Sequence, residues 1–249
     1  MEDNTNRFSD KSENYAKYRP GYPVRILQFL KDYNFCDKSI IADIGSGTGI
    51  LTKIFLENGN NVYAVEPNEK MREKANSLLN KFKNYFPING TAENTTLPNN
   101  SVDFIVVGTA FHWFDATRAL NEFRRILIEN GVLVLIWNDR KTDTLFLTEY
   151  ETILKTFSKE YQGGTRRNIS DDVIEKYFRK DFKKITLENN QEFSFDELIG
   201  RFSSSSYSPK EGTSEYNDSY NLLKRIFDQY KINNKVLFKY DTNIFIGRI

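Results

Sequence analysis

A glycine-rich segment near position 45 carries residue types that suit a ligand-binding turn. The letters DIGSGTG occupy positions 43–49, after a short apolar run and before a helix-like stretch. In a sheet with crossover helices, the turn between the first strand and the first helix presents backbone amides to nucleotide-like ligands, and glycines let the backbone approach closely. The residues of this segment that we expect to contact a cofactor are Asp43, Gly45, Ser46, Gly47, Thr48 and Gly49.

The spacing of these glycines distinguishes between classes of cofactor. A dinucleotide fingerprint that begins at Gly45 would need its third glycine at position 50, which is Ile50. Nicotinamide and flavin cofactors are therefore disfavoured, and with them the hypothesis of a nicotinamide oxidoreductase. A tight turn of this kind suits a ligand that has no pyrophosphate.

Glu66 is the second candidate acid. It ends the next apolar run, 61–66, where a carboxylate can accept hydrogen bonds from both ribose hydroxyls of a bound adenosine. The alternative is a tight corner without ligand beside a solvated acid at a strand end. The turn and Glu66 together predict a site for an adenosyl ligand, to which we add the next residue, Pro67.

The elements that must position these residues follow from the apolar pattern. Short continuous runs alternate with helix-like stretches, which is typical of a parallel sheet with crossover helices. Strands are predicted at 39–44, 61–66, 85–88, 101–107, 131–137, 182–187 and 242–247, and helices at 50–57, 69–82, 115–127, 148–161, 171–179 and 216–230. The predicted fold class is α/β: a Rossmann-like, seven-stranded, mostly parallel sheet with helices on both faces, an N-terminal lid helix and a helical cap before the last two strands.

An acid two residues before G-x-G-x-G resembles the first motif of class I S-adenosylmethionine-dependent methyltransferases. Further segments carry the resemblance: NYAKYRPGYP at 14–23, GTAE at 90–93 with LP at 97–98, AFHWFD at 110–115 and GRFSSSSY at 200–207. With them the chain is similar to the methyltransferase type 11 group and, within it, to small-molecule enzymes related to trans-aconitate methyltransferase. The resemblance covers most of the chain and is weakest over 142–181.

This resemblance implies S-adenosylmethionine as the cofactor and suggests roles for several residues. Ala92 and Glu93 would border the adenine, Met71 would pack beside the nucleoside, and the segment 15–22 would fold over the cofactor. Judged only by its position on an apolar helix face, Met71 is a core residue. Thr109, which follows the fourth strand, completes the implied cofactor site.

The residues expected on the acceptor side are mostly aromatic or basic. Because the arginine fork suits carboxylates, Arg19 is predicted to hold the carboxylate of the cofactor's amino-acid end. Arg166, Arg167 and Arg201 are candidates for an acidic acceptor, with a solvated surface position as the alternative. The predicted substrate-binding residues are Tyr15, Tyr22, His112, Trp113, Arg201 and Tyr207.

His112, the only histidine in the chain, is the candidate general base because imidazole titrates near neutrality. A structural role is the alternative, since transfer of a sulfonium methyl group to an anion needs no base. Its neighbours Phe111, Trp113 and Phe114 would form either an apolar wall of the site or ordinary core packing.

Composition and motifs limit the classes of partner that this chain is expected to bind. The 35 basic and 34 acidic residues are interspersed, so the basic footprint of a nucleic-acid binder is missing. The letters GTAF at 108–111 lack the Asn-Pro-Pro-aromatic element of amino-group methyltransferases that act on nucleobases, so we do not expect methylation of a nucleobase.

No run approaches the roughly 18 apolar residues that span a bilayer, so we expect a cytoplasmic protein with no membrane partner. The single cysteine, Cys36, and the single histidine argue against a metal cluster.

We therefore expect a single methyltransferase domain over 1–249, with a lid in 1–35, a cofactor-binding core in 36–140, and the cap with the last strands in 141–249. A monomer or a homodimer is expected. The predicted function is methyl transfer from S-adenosylmethionine to a small-molecule acceptor, with O-methylation of a carboxylate as one option. A catalytically inactive, cofactor-binding regulator is the alternative.

Overall fold

The computed structural model describes residues 12–157, 161, 169–205 and 208–249. Its centre is a seven-stranded sheet formed by β1 (Ile40–Ile44), β2 (Asn61–Val65), β3 (Tyr85–Ile88), β4 (Val102–Gly108), β5 (Leu127–Arg140), β6 (Lys180–Phe193) and β7 (Val236–Arg248). The strand order is β3-β2-β1-β4-β5-β7-β6. The first five strands pair in parallel, and β7 pairs antiparallel with β5 and β6. The predicted mostly parallel, Rossmann-like sheet is confirmed.

Helices connect these strands. They are α1 (Ser12–Tyr18), α2 (Ile26–Leu30), α3 (Ile50–Glu57), α4 (Glu69–Leu79), α5 (Ala116–Ile126), α6 (Leu145–Phe157), α7 (Asp171–Glu175), α8 (Phe195–Ser203) and α9 (Ser214–Tyr230), with 3₁₀ turns at Lys31–Tyr33 and Phe111–Trp113. Side-chain hydrogen bonds cap the N-termini of two helices that border the site, α4 and α5. The Asn68 side chain accepts a hydrogen bond from the Met71 amide, and the Asp115 side chain accepts one from the Arg118 amide.

The sheet is buried on both faces, which explains why its central strands have continuous apolar runs. One face packs against α2 and α3, through Leu30 and Phe55 among others. The opposite face packs against α5, through Phe123 and Ile126. This two-sided packing holds the carboxyl ends of β1, β2, β4 and β5 in fixed positions along one edge.

A separate apolar cluster forms the cap at that edge. The β6–β7 hairpin continues past the point where Arg140, the last residue of β5, pairs with Tyr240. The rings of Tyr150 in α6 and Phe238 in β7 lie 4.9 Å apart, and Phe202 of α8 also packs against Tyr150. The cap therefore packs against the part of the β6–β7 hairpin that extends beyond β5, which we call the β6–β7 arm.

Several predicted bounds differ from the structure. Strands β6 and β7 are longer than the predicted 182–187 and 242–247. In β6, residues 188–192 are all polar and concealed the strand pattern. Helix α8 was not predicted, and α8 and α9 lie between the last two strands, so the cap is interrupted by β6. The predicted helix at 148–161 starts earlier, at Leu145, and is described as helical as far as Phe157, whereas Tyr161, its predicted last residue, is not helical. None of the helices in the described ranges has the length and apolar character that crossing a bilayer requires.

Candidate active site

The glycine turn folds back over the end of β2. The amides of Gly45 and Ser46 both donate to the Val65 carbonyl, at 2.8 and 3.1 Å. Gly47 has a φ of +56°, and a side chain added there would point towards the Tyr15 ring, 4.0 Å away. Glycine at this position therefore permits the left-handed backbone and leaves the space between the turn and Tyr15 open.

Glu66 is a buried residue that fixes the turn. Its Oε2 accepts a hydrogen bond from the Gly47 amide and its Oε1 accepts one from the Asn68 amide, both at 2.9 Å. Burial raises the pKa of Glu66, and these amides and the Arg72 guanidinium oppose that rise. A carboxylate offers about four lone-pair positions, so two remain for hydroxyl donors. Glu66 is 9% exposed, so it is not the solvated strand-end acid of the alternative interpretation.

Arg72 holds the backbone that follows Glu66. Its Nη1 donates to the carbonyl of Glu66 at 2.8 Å and to that of Pro67 at 2.7 Å. Met71, in the first turn of α4, is 3% exposed. The end of β2, Pro67 and the start of α4 therefore form one rigid corner.

Asp43 lies at the carboxyl end of β1, 1% exposed. Its Oδ2 accepts a hydrogen bond from the Thr52 hydroxyl at 2.6 Å, whereas its Oδ1 has no hydrogen-bond partner among the described residues, and neither has the buried Oγ1 of Thr48. Burial raises the pKa of Asp43 to about 7, and the nearby charge of Glu66 adds to the rise. Because buried polar atoms without partners are rare, these two oxygens fit a site completed by a ligand with hydrogen-bond donors.

The loop after β3 carries two further predicted residues. Ala92 is buried, and the Glu93 Oε1 accepts a hydrogen bond from the Asp115 amide at 2.9 Å. The loop is held by Glu122 of α5, whose Oε1 accepts from the amide and the hydroxyl of Thr95 at 2.8 and 2.6 Å. The Arg125 side chain is the main reason that the pKa of Glu122 falls to about 2.

Sequence reasoning missed Glu122. The available signal was an acid on the buried face of an amphipathic helix, a position that charged residues occupy only when they are paired. In this chain Glu122 pairs with Arg125 of the same helix, and the hydrogen bonds that it accepts from Thr95 anchor the loop of Ala92 and Glu93 to α5.

The lid segment, residues 12–22, is tied to the carboxyl edge of the sheet. The carbonyl of Gly21 accepts hydrogen bonds from Asn138 at 3.1 Å and from Asn189 at 2.8 Å. The guanidinium of Arg19 lies over the Tyr15 ring, 5.0 Å from its centre, and donates to the Ser204 carbonyl at 3.1 Å. These contacts hold the lid segment against the edge of the sheet that carries the glycine turn. That this segment folds over a cofactor stays a prediction.

A cavity of about 120 Å³ opens between the lid segment, β4, β5 and the cap. Its lining contains Tyr15, Arg19, Tyr22, Thr109 and Arg201 of the predicted set, and also Pro20, Ile50, Asn138, Arg140, Thr142, Glu151, Tyr161 and Tyr240. Ligand pockets for drug-sized molecules typically measure about 300–1,000 Å³. The volume and the lining therefore suit a small polar ligand.

A pair of hydroxyls lies at the floor of this cavity. Tyr22 Oη and Thr109 Oγ1 are 3.0 Å apart. Burial raises the pKa of Tyr22 far above its usual value, so its hydroxyl stays protonated. Thr109 has a φ of +52°, which is an outlier for a β-branched residue, and such strain concentrates at functional sites.

The cap side of the cavity is charged. Arg201 is 5% exposed, with Nε at 3.5 Å from the Tyr240 hydroxyl and Nη1 at 3.4 Å from the Ser204 hydroxyl. Arg140 pairs with Glu151, whose Oε2 also accepts from the Tyr161 hydroxyl at 2.7 Å. Sequence reasoning missed Arg140 and Glu151; the signal for Arg140 was its place at the end of a long buried strand.

His112 and Trp113 do not line the cavity. The Nδ1 of His112 accepts a hydrogen bond from the Trp137 indole at 3.4 Å, and its ring packs 5.1 Å from that of Trp113. A catalytic role for His112 stays a prediction. Tyr207, Arg166 and Arg167 lie outside the described residues. Within the described ranges, no group of three or more histidine, cysteine or acidic residues could hold a metal ion.

Comparisons with known proteins give the site a context. A family model described as a methyltransferase domain matches residues 42–135. An uncharacterized methyltransferase of a Geobacillus species is 40% identical over 181 residues, which are 69% of this chain and 80% of that protein. An uncharacterized methyltransferase of Mycobacterium tuberculosis is 36% identical over 126 residues, which are 51% of this chain. That match spans about half of the mycobacterial protein, 49%.

Solved structures show the same fold. A protein named as a type II methyltransferase from Anaeromyxobacter dehalogenans superimposes with a TM-score of 0.69 at 20% identity, over 93% of this chain and 98% of its own. The family match covers the glycine turn, Glu66, the Glu93 loop and Thr109, and the structural likeness extends to the cap.

Proposed function

Because the chain belongs to the class I S-adenosylmethionine-dependent methyltransferases, we propose that it methylates a carboxylate oxygen of a small acceptor. The observation that carries this proposal is the position of the cavity. Its lining includes Thr109, which follows β4, and Tyr15 and Tyr22 of the lid segment. Among the described lining residues there are three arginines and one glutamate. A small acceptor with an anionic oxygen matches both its volume and its charge.

The residues proposed to hold the cofactor lie along one edge of the sheet. Glu66 would accept hydrogen bonds from the ribose hydroxyls with its remaining lone pairs, and the unpartnered Asp43 Oδ1 and Thr48 Oγ1 would face donors of the ligand. Arg19 would bind the carboxylate at the amino-acid end. The adenine contacts would be supplied by Ala92 and Glu93, with Met71 beside the nucleoside.

When bound, the cofactor supplies a sulfonium methyl group whose carbon–sulfur bond breaks as a carbon–oxygen bond forms, with the bonding pair remaining on sulfur. The protein has to orient the acceptor and exclude water, and positioning of this kind corresponds to effective molarities of about 10⁵ M or more. Tyr22 and Thr109 would orient the attacking oxygen from the cavity floor, and the lid segment would keep water out.

No general base is required for this reaction. A carboxylic acid with an ordinary pKa near 4 is already ionised at neutral pH, so the attacking oxygen carries no proton. This matches a cavity whose described lining contains hydroxyls, the Asn138 amide, guanidiniums and Glu151, which is paired with Arg140, but not His112.

The test is a screen of acids, phenols and amines with isotope-labelled S-adenosylmethionine, read by mass spectrometry. Methyl esters are expected, and mild alkali should release their label as methanol, whereas methyl ethers and methylamines resist that treatment. Labelled ethers or amines without esters would overturn the carboxylate proposal. Binding of S-adenosylhomocysteine without methylation of any acceptor would favour the regulator hypothesis instead.

A further inference from the structure

The two edges of the sheet differ in their capacity to pair with a further strand. One edge is β3, which has 4 residues and contains Pro87, and both features disfavour pairing. The other edge is β6, which has 14 residues and pairs, among the described residues, only with β7. In an antiparallel pair every second residue directs its amide and carbonyl away from the partner strand. The outer edge of β6 therefore offers a long row of backbone groups for pairing.

Most of β6 is regular. Its ladder with β7 shifts register near the start of the strand and is continuous over residues 183–193. In this regular part, Ile185 and Leu187 face the side of the sheet that packs against α2 and α3. The residues between and beside them lie on the opposite side and are exposed: Lys184, Thr186 and Glu188. Around its middle the strand therefore has an apolar side and a polar side next to an open edge.

The charges of β6 are ordered along its length. Within residues 183–193, Lys183 and Lys184 come first, and Glu188 and Glu192 follow. When two copies of a strand pair antiparallel about a two-fold axis, the first half of each copy lies beside the second half of the other. The basic half of β6 would therefore meet the acidic half of a second copy, so this edge is complementary in charge to itself.

One register uses this complementarity directly. A two-fold axis at Thr186 places Lys184 of each copy opposite Glu188 of the other, and opposite charges in facing positions are stabilising. The same axis places Ile185 opposite Leu187, so that their apolar surfaces are covered together. An axis at Glu188 would instead set this residue against its own copy, and like charges in facing positions are destabilising.

The contacts within one chain leave both charges able to pair. Lys184 forms an ion pair with Asp171, but both side chains are 40% exposed, so solvent screens that pair. The lysine ammonium has three donors and can bind a second carboxylate. The charge of Glu188 acts on Lys141 less strongly than that of Asp241, with which Lys141 forms its ion pair. Neither contact prevents a Lys184–Glu188 pair between copies.

We propose that the outer edge of β6 pairs antiparallel with the same edge of a second copy of this chain, about a two-fold axis at Thr186. The two seven-stranded sheets then form one continuous sheet. The side chain of Asn189, which holds the lid segment through the Gly21 carbonyl, points to a face of the sheet and not along its edge, so pairing leaves this contact in place. Pairing at this edge requires neither the cofactor nor the acceptor.

Sedimentation velocity over a range of protein concentrations tests for the dimer. The full chain should change from monomer to dimer as its concentration rises. Lys184→Glu and Glu188→Lys each create two like-charge pairs across the axis, and each should raise the dimer dissociation constant at least about tenfold. Lys70→Glu, which changes an exposed lysine of α4, is the control and should leave this constant unchanged. A protein that stays monomeric at its highest soluble concentration would overturn the proposal.

The double variant separates pairing from folding. Lys184→Glu combined with Glu188→Lys exchanges the two charges, so opposite charges face each other again across the axis. The dissociation constant should then fall at least about fivefold below that of either single variant. If both single variants weaken the dimer and the double variant does not restore it, the assigned charge pairs are contradicted.

A disulfide tests the register. At the axis the two Thr186 residues face each other with their Cβ atoms about 5 Å apart, so Thr186→Cys should link two copies under mild oxidation. Serine first replaces the exposed Cys36. Asn190→Cys is the control, because in this register the two copies of residue 190 lie about 27 Å apart. A dimer that is not linked through residue 186, or that is linked equally through residue 190, would contradict the proposed pairing.

Discussion

The carboxylate of Glu66 accepts a hydrogen bond of 2.9 Å from the amide of Gly47. This contact joins the acid at the end of β2 to the glycine turn after β1, so one side chain both shapes the turn and presents its remaining lone pairs to the ligand. Its second oxygen holds the Asn68 amide at the start of α4. The proposed ribose site is therefore built before any ligand arrives.

Replacing Glu66 tests this double role. Glu66→Gln keeps the size of the side chain but can accept through only one oxygen, so either Gly47 or Asn68 loses its partner. The affinity for S-adenosylhomocysteine, measured by calorimetry, should fall by about 1–3 kcal/mol. The exposed Glu57→Gln in α3 is the control. Unchanged affinity in Glu66→Gln would show that another group binds the ribose.

The raised pKa of Asp43 predicts that the stability of the protein depends on pH. Because burial raises its pKa to about 7, above the unfolded value near 4, the folded state binds the proton more tightly. The free energy of unfolding of the ligand-free protein should therefore decline as the pH rises from about 4 to about 7. Asp43→Asn should reduce this decline, which urea titrations at several pH values would measure, and the part that remains is expected from Glu66, whose pKa burial also raises. A decline of unchanged size in this variant would show that Asp43 does not cause it.

The same carboxyl should couple pH to ligand binding. We propose that the donor facing Asp43 Oδ1 is the ammonium of the ligand's amino-acid end, which would favour the ionised carboxyl. The affinity for S-adenosylhomocysteine should then rise about tenfold between pH 6 and pH 8. The exposed Asp218→Asn should retain this rise and Asp43→Asn should abolish it. An affinity of the unaltered protein that is constant over this range would contradict a contact with ionised Asp43.

Gly200 controls the position of the lid segment. A methyl group at this position would lie 2.1 Å from the Tyr18 ring, so Gly200→Ala must displace the Tyr18 side chain and disturb the packing of α1 on α8, at a cost of about 1–3 kcal/mol. We expect weaker binding of S-adenosylhomocysteine together with faster proteolysis near the N-terminus. Gly21→Ala is the matched control within the lid segment, because no atom lies within 4 Å of its added methyl group. Equal effects of the two variants would argue against the packing of Tyr18 on Gly200.

His112 should be dispensable for methylation of a carboxylate. His112→Ala removes the acceptor of the Trp137 indole and should lower stability by about 1 kcal/mol, while kcat changes less than about twofold. A general base contributes about 10²- to 10⁴-fold. A loss of kcat in that range at unchanged stability would therefore identify His112 as the base after all.

The sequence predicted the parts of the site that depend on local patterns. The turn at Gly45–Gly49 and Glu66 were found because a strand, a turn and a helix fix their relative positions within a short stretch of chain. Arg140 and Glu151 were missed because their cavity is assembled from β5, α6, α8 and β7, and only the antiparallel β6–β7 arm brings Tyr240 beside Arg140. No periodicity in a single sequence reports such a contact. Arg201 was predicted from the chemistry of its side chain, and the structure places it in the lining of the cavity, but its role in binding an acceptor stays a prediction.

The most direct test of the cofactor site is a crystal structure of the protein with S-adenosylhomocysteine at a saturating concentration. We predict ribose hydroxyls within hydrogen-bond distance of Glu66, the adenine beside Ala92 and Glu93, and the carboxylate at Arg19. A ligand bound elsewhere, or a turn at Gly45–Gly49 without ligand under those conditions, would contradict the account.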